Sequence, residues 1–373
     1  MARKSSSFPF PQLVKKSSLT GLILLLAWTL YQFVEQHHAT QPIKMPGSNA
    51  PVELYSNQAQ DDLTRLFQNA IDSAKESITL IIYALTDPQI VQALQKKSEA
   101  GVQLYIVCDA KASPGISSRL PRATIVKRFG QGLMHQKILI IDNQQIWLGS
   151  ANFTTSSLQV YGNLVMGIDN PALAQALTAR AKSMDEEGGY TPLLHRETTA
   201  DSQNLELWVL PDDPNAVKRM IDLLRSAQKS IKVAMFTWTR VDFTEELIAA
   251  AKRGVQVEAI VDRYSGKGAS AKIVRLLQQG GIPVRLSTGN KLMHHKFAYI
   301  DDRILVNGSA NWTNAAFKEN DDYFIILYPL NPEQQTKMNQ IWSVLMKESA
   351  KPGVSSAPTL NKKKGRRQEG WAG

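Results

Sequence analysis

Two histidine–lysine pairs recur in this chain, each inside the same nineteen-residue pattern. The sequence MHQKILIIDNQQIWLGSAN runs from Met134 to Asn152, and MHHKFAYIDDRILVNGSAN runs from Met293 to Asn311. Nine of the nineteen aligned positions are identical, whereas unrelated stretches would match at about one position by chance. The chain therefore carries the same chemical device twice.

Both copies have the spacing H-x-K-x4-D-x6-G-S-x-N. Because side chains two apart on a strand point to the same face, the histidine and the lysine of each copy project together. The lysine supplies positive charge, the histidine can attack or transfer a proton, and the asparagine adds an amide donor. Such a group suits an anionic ligand. Its polar members are His135, Lys137, Asp142, Ser150 and Asn152 in the first copy, and His294, Lys296, Asp301, Ser309 and Asn311 in the second.

A displacement reaction at phosphorus explains why the device is doubled. In-line displacement needs a nucleophile on one side of the phosphoryl group and an acid on the other. Two copies related by a twofold axis bring two histidines, two lysines and two asparagines to one point. The repeat therefore predicts a single composite site for phosphoryl chemistry, for which a monomer is sufficient.

The repeat extends into the elements that must position these motifs. Ser73–Thr86 matches Ser226–Thr239, and Gly101–Asp109 matches Gly254–Asp262, both at an offset of 153 residues. The motifs are offset by 159 residues, so the second half carries six more residues before its motif. Helical and strand patterns alternate in both halves. This predicts an α/β fold of two similar lobes related by a pseudo-twofold axis, with the active site at their interface.

The predicted elements occupy equivalent places in the two halves. Helices are expected at 61–74, 89–100, 215–227 and 243–253, and strands at 78–85, 103–108, 137–141, 146–148, 231–238, 256–261, 296–300 and 304–306. The predicted segments are a basic region with a signal anchor (1–35), a linker (36–51), a first lobe (52–200), a second lobe (201–350) and a basic disordered tail (351–373).

These motifs resemble the double HKD motif of the phospholipase D superfamily, and the likeness covers about residues 52–345. The resemblance implies two lobes with facing motifs and a reaction through a covalent phosphohistidine. It implies that His135 is the nucleophile and that His294 protonates the leaving alcohol and then activates water. No metal or cofactor is required in such a reaction. The side chains expected to bind the phosphate oxygens are Lys137, Lys296, Asn152 and Asn311.

The remaining motif residues are expected to support the catalytic ones. Asp142 and Asp301 follow the motif strands and point away from the histidine–lysine edge, so we expect them to hold neighbouring loops. Ser150 and Ser309 are expected to orient the catalytic histidines by hydrogen bonding.

The two histidines are not expected to be equivalent. In the superfamily, an acidic residue downstream of GSxN often supports a histidine. The second half offers Glu319, Asp321 and Asp322 at this place, whereas the first half has Asn163 and no carboxylate. This departure leaves the support of one histidine open.

Charge and cysteine content limit the classes of function. The net charge is +10, but residues 1–35 carry +3, residues 361–373 carry +4, and the body between them carries only +3. The body is therefore only mildly basic, which argues against nucleic acid as the main binding partner. The tail KKKGRR could bind anionic lipid or nucleic acid, or be simply solvated. The only cysteine, Cys108, excludes an internal disulfide framework and a cysteine-based zinc site.

The N-terminus has the pattern of a targeting segment. Four basic residues precede the apolar run Leu19–Val34, and Glu35 follows it. This arrangement predicts an uncleaved signal anchor with the catalytic body outside the cytoplasm. Cleavage would instead give a secreted protein, and a buried core helix is the remaining alternative.

The sequence thus predicts a metal-independent phosphodiesterase of phospholipase D type that hydrolyses membrane phospholipid headgroups to phosphatidate and an alcohol. The alternatives are an endonuclease acting on single-stranded nucleic acid, a cardiolipin synthase-like phosphatidyl transferase, and a non-enzymatic scaffold that binds anionic lipid.

Overall fold

The computed structural model describes residues 21, 23–26, 28–29, 42–130 and 132–352. The chain forms two units, residues 1–44 and residues 45–373. Seven residues of the predicted anchor Leu19–Val34 are described and are helical. The rest of that prediction, and the predicted tail from residue 353 onward, lie outside the described residues. Among the residues described, no helix has both the length and the apolar character needed to span a membrane.

The first lobe is built on a mixed sheet flanked by helices. Its strands are β1 (Glu53–Ser56), β2 (Ser77–Ile82), β3 (Gln103–Asp109), β4 (Thr124–Arg128), β5 (Lys137–Ile141), β6 (Gln145–Gly149) and β7 (Leu164–Asp169). Its helices are α1 (Leu63–Ser73), α2 (Pro88–Glu99), α3 (Ile116–Arg119), α4 (Thr155–Gln159) and α5 (Pro171–Ser183). The strand order is β1-β7-β6-β5-β2-β3-β4, with β2, β3 and β4 parallel to one another.

The second lobe repeats this plan with additional edge strands. Its strands are β8 (Arg196–Ala200), β9 (Gln203–Leu210), β10 (Ser230–Met235), β11 (Gln256–Val261), β12 (Val284–Ser287), β13 (Lys296–Ile300), β14 (Ile304–Gly308), β15 (Asp322–Tyr328) and β16 (Ser349–Ala350). Its helices are α6 (Ala216–Ser226), α7 (Val241–Lys252), α8 (Arg263–Lys267), α9 (Ala271–Gln279), α10 (Asn314–Lys318) and α11 (Pro332–Lys347). The strand order is β16-β12-β11-β10-β13-β14-β15-β9-β8.

Two predicted segment boundaries differ from the structure. β8 pairs with β9 in the second sheet, so the predicted boundary after residue 200 cuts a hairpin. Residues 196–200 belong to the second lobe because their backbone hydrogen bonds are made there. The end of the predicted linker 36–51 packs on the first lobe, since Pro46 is buried and its carbonyl accepts a hydrogen bond from Gln145 Nε2 at 2.7 Å.

An apolar core joins the two lobes. Its buried side chains come from β5, β6, β7 and α5 of the first lobe and from β9, β13, β15 and α11 of the second. On the second lobe, a separate core lies between the sheet and helices α6, α7 and α9. In the first lobe, every residue of β5 and all but the first residue of β2 are buried. Both faces of these strands are therefore covered, which explains why they are rich in aliphatic residues.

Two backbone bridges cross the lobe interface and fix how the halves meet. Met134 pairs with Asp321, and Gly162 pairs with Met293. Met134 is the repeat equivalent of Met293, and Gly162 is that of Asp321. Each half therefore gives the other the same contact that it receives, which is the reciprocity that a twofold relation requires.

The motif aspartates begin the turns that connect β5 to β6 and β13 to β14. Their φ values are +52° for Asp142 and +54° for Asp301, a left-handed conformation that aspartate tolerates better than most residues. The Asp142 carboxylate accepts the backbone N–H groups of residues 75–77 at 2.8–2.9 Å. The Asp301 carboxylate accepts those of residues 228–230 at 2.7–2.9 Å. Each turn thus ties the motif hairpin to the start of the neighbouring central strand.

Replacing Asp142 by alanine is expected to destabilise the fold by about 2 kcal/mol, because three backbone donors lose a charged acceptor. Burial opposes ionisation, but these hydrogen bonds hold the pKa of Asp142 below its usual value. The carboxylate therefore stabilises the fold at neutral pH, and this contribution is lost as the pH falls through the folded-state pKa. Urea unfolding at pH 7 measures the difference. The exposed Asp72→Ala control should change stability by less than about 0.5 kcal/mol, and an equal loss in both variants would contradict this role.

Candidate active site

His135 lies at the lobe interface, two residues before β5 begins. Its side chain is buried, and Nδ1 lies 2.8 Å from Oδ1 of Asp322 in the second lobe. The interlobe bridge sets this contact, since the backbone N–H of His135 donates to the carbonyl of Asp321 at 2.9 Å. The side chain that supports the first histidine therefore comes from the opposite half of the chain.

His294 occupies the equivalent place before β13. Its Nδ1 lies 3.1 Å from Oδ1 of Asn163 in the first lobe. The second interlobe bridge again holds the contact, because the backbone N–H of His294 donates to the carbonyl of Gly162 at 3.0 Å. The geometry of the two histidines is thus the same, but one faces a carboxylate and the other a neutral amide.

The acidic residues proposed from the sequence separate into different roles. Asp322 contacts His135, whereas the adjacent Asp321 forms ion pairs with Arg128 at 3.0 Å and with Arg180 at 3.4 Å. Both arginines belong to the first lobe, so this buried cluster also joins the lobes next to the site. Sequence reasoning selected the right segment but had no means of knowing that it serves the histidine of the other lobe.

The motif serines contact the partners of the histidines. Ser309 Oγ donates to Asp322 Oδ1 at 2.6 Å, and Ser150 Oγ donates to Asn163 Oδ1 at 2.8 Å. The sequence predicts hydrogen bonds from the serines to the histidines themselves. Each serine instead bonds Asp322 or Asn163 in its own lobe. That side chain in turn contacts the motif histidine of the other lobe.

The two lysines lie beside the histidines in equivalent environments. Lys137 Nζ donates to the carbonyl of His135, and Lys296 Nζ donates to that of His294 at 2.8 Å. Each ammonium also lies over an aromatic ring that sequence reasoning missed. Lys137 is 5.1 Å from the centroid of Tyr83, and Lys296 is 4.8 Å from that of Phe236.

These aromatic residues could have been found from the repeat. Tyr83 and Phe236 are equivalent at the 153-residue offset, and each directly follows a central strand of its lobe. Each ring also packs on a motif histidine, with centroids 5.3 Å apart for Tyr83 and His135 and 4.9 Å apart for Phe236 and His294. The rings form walls that exclude water from the histidine–lysine edge.

Exclusion of water makes the site unfavourable for its own cations. Burial lowers the pKa of Lys137 to about 7, against the opposing effect of Asp322. Burial and the charge of Lys137 hold the pKa of Lys296 well below its usual value. An anionic ligand placed between the lysines would offset this penalty by adding the missing negative charge. The site is therefore electrostatically suited to a phosphate group.

The histidines respond to the same surroundings to different degrees. Burial and Lys137 lower the pKa of His135, while Asp322 opposes this. Burial and Lys296 lower the pKa of His294 well below its ordinary value. Burial would raise the pKa of Asp322, but the charges of His135 and Lys137 and the hydrogen bonds from His135 and Ser309 together hold it below its usual value. Asp322 is therefore the ionised partner of His135.

The motif asparagines follow β6 and β14. Asn311 Oδ1 accepts the backbone N–H of Thr237 at 3.2 Å, which orients its amide group. Asn152 Oδ1 is buried without a hydrogen-bond partner among the described residues, and its backbone N–H donates to Ser157 Oγ at 2.9 Å. The motif histidines and lysines of both lobes thus meet at the lobe interface, whereas the contacts of each motif asparagine lie within its own lobe.

Comparison with known proteins agrees with this architecture. The family described as "Cardiolipin synthase, PLD-like domain" matches residues 67–184 and 220–343. A mitochondrial cardiolipin hydrolase from Chlamydomonas reinhardtii is 32% identical over 133 residues, covering 35% of this chain and 59% of the relative. A phospholipase D from Rickettsia typhi is 33% identical, covering 30% of this chain and 53% of the relative. The chain thus spans little more than half the length of these relatives.

A solved structure extends the likeness to both lobes. Phosphatidylserine synthase from Haemophilus influenzae aligns with a TM-score of 0.62 and 15% identity, covering 86% of this chain and 91% of that one. At this identity the likeness concerns the fold alone. Because the family match falls on both halves and includes more than half of the chain, the chain belongs to the phospholipase D superfamily.

Proposed function

We propose that this chain is a metal-independent phosphodiesterase of phospholipase D type that hydrolyses phospholipid headgroups through a phosphohistidine intermediate. One observation carries the proposal. His135 on a carboxylate and His294 on an amide share a buried site with two lysines. This arrangement offers a nucleophile and a proton donor of different character on the two sides of one anion.

In the first step, His135 Nε2 attacks phosphorus. Asp322 accepts the hydrogen bond from Nδ1–H, which leaves the Nε2 lone pair free, and it stabilises the positive charge that develops on the ring. As the nitrogen–phosphorus bond forms, the bond to the headgroup oxygen breaks. Protonated His294 gives its Nε2 proton to that oxygen, and the headgroup leaves as an alcohol.

In the second step, His294 acts in the opposite sense. Its neutral ring takes a proton from water, whose oxygen attacks phosphorus while the bond to His135 Nε2 breaks. Phosphatidate leaves, and both histidines return to their starting states. Throughout, the motif lysines and asparagines donate to the non-bridging oxygens and stabilise the charge of the transition state.

A phospholipid is the substrate class that the available observations favour. The relatives are named cardiolipin hydrolase and phospholipase D, and the positive charge of the chain is concentrated outside its body. The predicted anchor would hold the site beside a bilayer, so we also propose association with a membrane. Nucleic acid is the runner-up, since the same displacement cleaves its diesters.

Substitution of either motif histidine by asparagine is expected to reduce diester turnover by about 10³-fold or more, since each histidine acts in both steps. Headgroup release from phospholipid in detergent micelles, with excess chelator, measures the rates. His195→Asn is the control, because His195 contacts Asp213 and Trp208 instead of the motifs. Full activity of either motif variant would exclude the two-histidine reaction.

The covalent intermediate is expected to accumulate in His294→Asn with a p-nitrophenyl phosphodiester. This leaving group departs without a proton, whereas release of phosphate from His135 still needs the missing base. Intact-protein mass spectrometry after an alkaline quench measures the adduct, and peptide mapping locates it. The matched control is the double variant that also carries His135→Asn. An adduct that persists in this double variant would show that His135 is not the nucleophile.

The choice of substrate is tested with the full-length protein and excess chelator on phosphatidylcholine, cardiolipin and single-stranded DNA. We expect phosphatidate-type products from lipid and intact DNA. Cleavage of DNA with untouched lipid, dependent on both histidines, would identify a nuclease. Transfer of the phosphatidyl group to added glycerol in preference to water would identify a transferase. Binding of anionic lipid without turnover of any substrate would identify a scaffold.

A further inference from the structure

The surroundings of Asn163 differ from those of Asp322 in a coordinated way. At the 159-residue offset, Asn163 corresponds to Asp322, Ser157 to Ala316, and Tyr161 to Asn320. Asn163 Nδ2 donates to the backbone carbonyl of Ser157 at 2.8 Å. An aspartate here would put a carboxylate oxygen against that carbonyl, and two acceptors repel. The first lobe is therefore built for an amide.

The second lobe is built for a carboxylate at the equivalent place. Asn320 Nδ2 lies 3.4 Å from Asp322 Oδ2 and can donate to it, whereas Tyr161 at the matching position of the first lobe has no side-chain amide. Ala316 lacks the hydroxyl that Ser157 places 3.2 Å from Asn163 Nδ2. Three positions thus differ between the lobes, and each difference suits the charge of the residue that supports a histidine.

The hydrogen-bond network also fixes where the His294 proton lies. Ser150 Oγ accepts the backbone N–H of Leu164 at 3.1 Å, so its own proton points to Asn163 Oδ1. Because Nδ2 of Asn163 is directed to Ser157, the atom facing His294 is the amide oxygen. An oxygen at 3.1 Å from His294 Nδ1 requires a proton on Nδ1. The free lone pair of neutral His294 is then on Nε2.

The charged and titratable groups that act on His294 are two lysines and two histidines. Those that face it are Lys296 and His295 in its own segment, and Lys137 and His135 from the first lobe. Two buried carboxylates lie near this cluster, and each has another partner. Asp322 is hydrogen-bonded to His135, and Asp262 accepts the backbone N–H of Met293 at 3.1 Å. Among the described residues, the ring of His294 is hydrogen-bonded to Asn163 and to neither carboxylate.

We propose that Asn163 is a positioning residue that fixes His294 as the Nδ1–H tautomer while withholding the counter-charge that would stabilise its protonated form. The inference rests on the proposed function for its consequence in turnover. His135 keeps the carboxylate that a phosphorylated ring needs, His294 is restricted to proton transfer, and activity falls as the pH rises because the acid form of His294 is lost early. The asymmetry between the halves thus sets both the direction of the reaction and its pH range.

The tautomer and titration of His294 test the inference without any turnover. ¹⁵N NMR of histidine-labelled full-length protein, with the His294 signals assigned from His294→Asn, measures both. We expect Nδ1–H in the neutral wild-type ring. Installing the second-lobe residues at two of these three positions, with Asn163→Asp and Ser157→Ala, should raise the pKa of His294 by about one unit or more. Ser157→Ala alone is the matched control and should leave that pKa in place.

The pH profile of kcat/KM supplies the kinetic readout, with a short-chain phospholipid as substrate. The double variant should move the alkaline limb to higher pH by about one unit. A wild-type Nε2–H tautomer, or an unchanged His294 pKa in the folded double variant, would overturn the inference. Absence of phospholipid turnover would instead count against the proposed function, because the NMR result does not depend on substrate. If the double variant does not fold, the wild-type tautomer alone decides.

Discussion

The exchange of backbone hydrogen bonds between the lobes is the constraint on which the site depends. The backbone pairs Met134–Asp321 and Gly162–Met293 link the lobes. Each pair is followed by a motif histidine in one lobe and by the residue that supports it, Asp322 or Asn163, in the other. Neither motif histidine has the partner of its Nδ1 atom in its own lobe. A duplicated fold therefore becomes one site only when both halves meet in this register, and a slip by one residue would separate both supporting contacts at once.

Burial of the motif lysines is the second constraint on the site. The motif lysines lie at the dry interface beneath aromatic rings, where their positive charge is unfavourable until an anion arrives. The large core shared by the lobes stabilises this arrangement, since the motif strands are also core strands. Burial of these cations is unfavourable for stability, and under the proposed function a bound diester offsets this cost.

Much of this arrangement could be predicted from the sequence. Strands β5 and β13 have the expected bounds, because apolar runs between a polar motif and an aspartate turn leave little choice. The two similar lobes followed from the repeat. The partner of each histidine could not be predicted, since a repeat shows which positions are equivalent but not which lobe they face. The predicted boundary after residue 200 falls inside the hairpin of β8 and β9, because β8 is polar and lies outside the repeat.

The inequivalence of the histidines was visible as a missing carboxylate near Asn163. Its meaning required the structure, because Asn163 supports the histidine 131 residues away instead of the one in its own motif. The serine at position 157 and the tyrosine at position 161 had no signal of their own in the sequence. They gain significance only through the hydrogen bonds that distinguish the amide from the carboxylate.

The central proposal is that His135 and then water attack the same phosphorus atom, while His294 transfers the protons. The stereochemical course at phosphorus tests it most directly, with a diester made chiral by sulfur and hydrolysed in ¹⁸O-labelled water. Two in-line displacements, first by His135 and then by water, predict overall retention of configuration. Inversion would mean a single direct attack by water and would contradict the account.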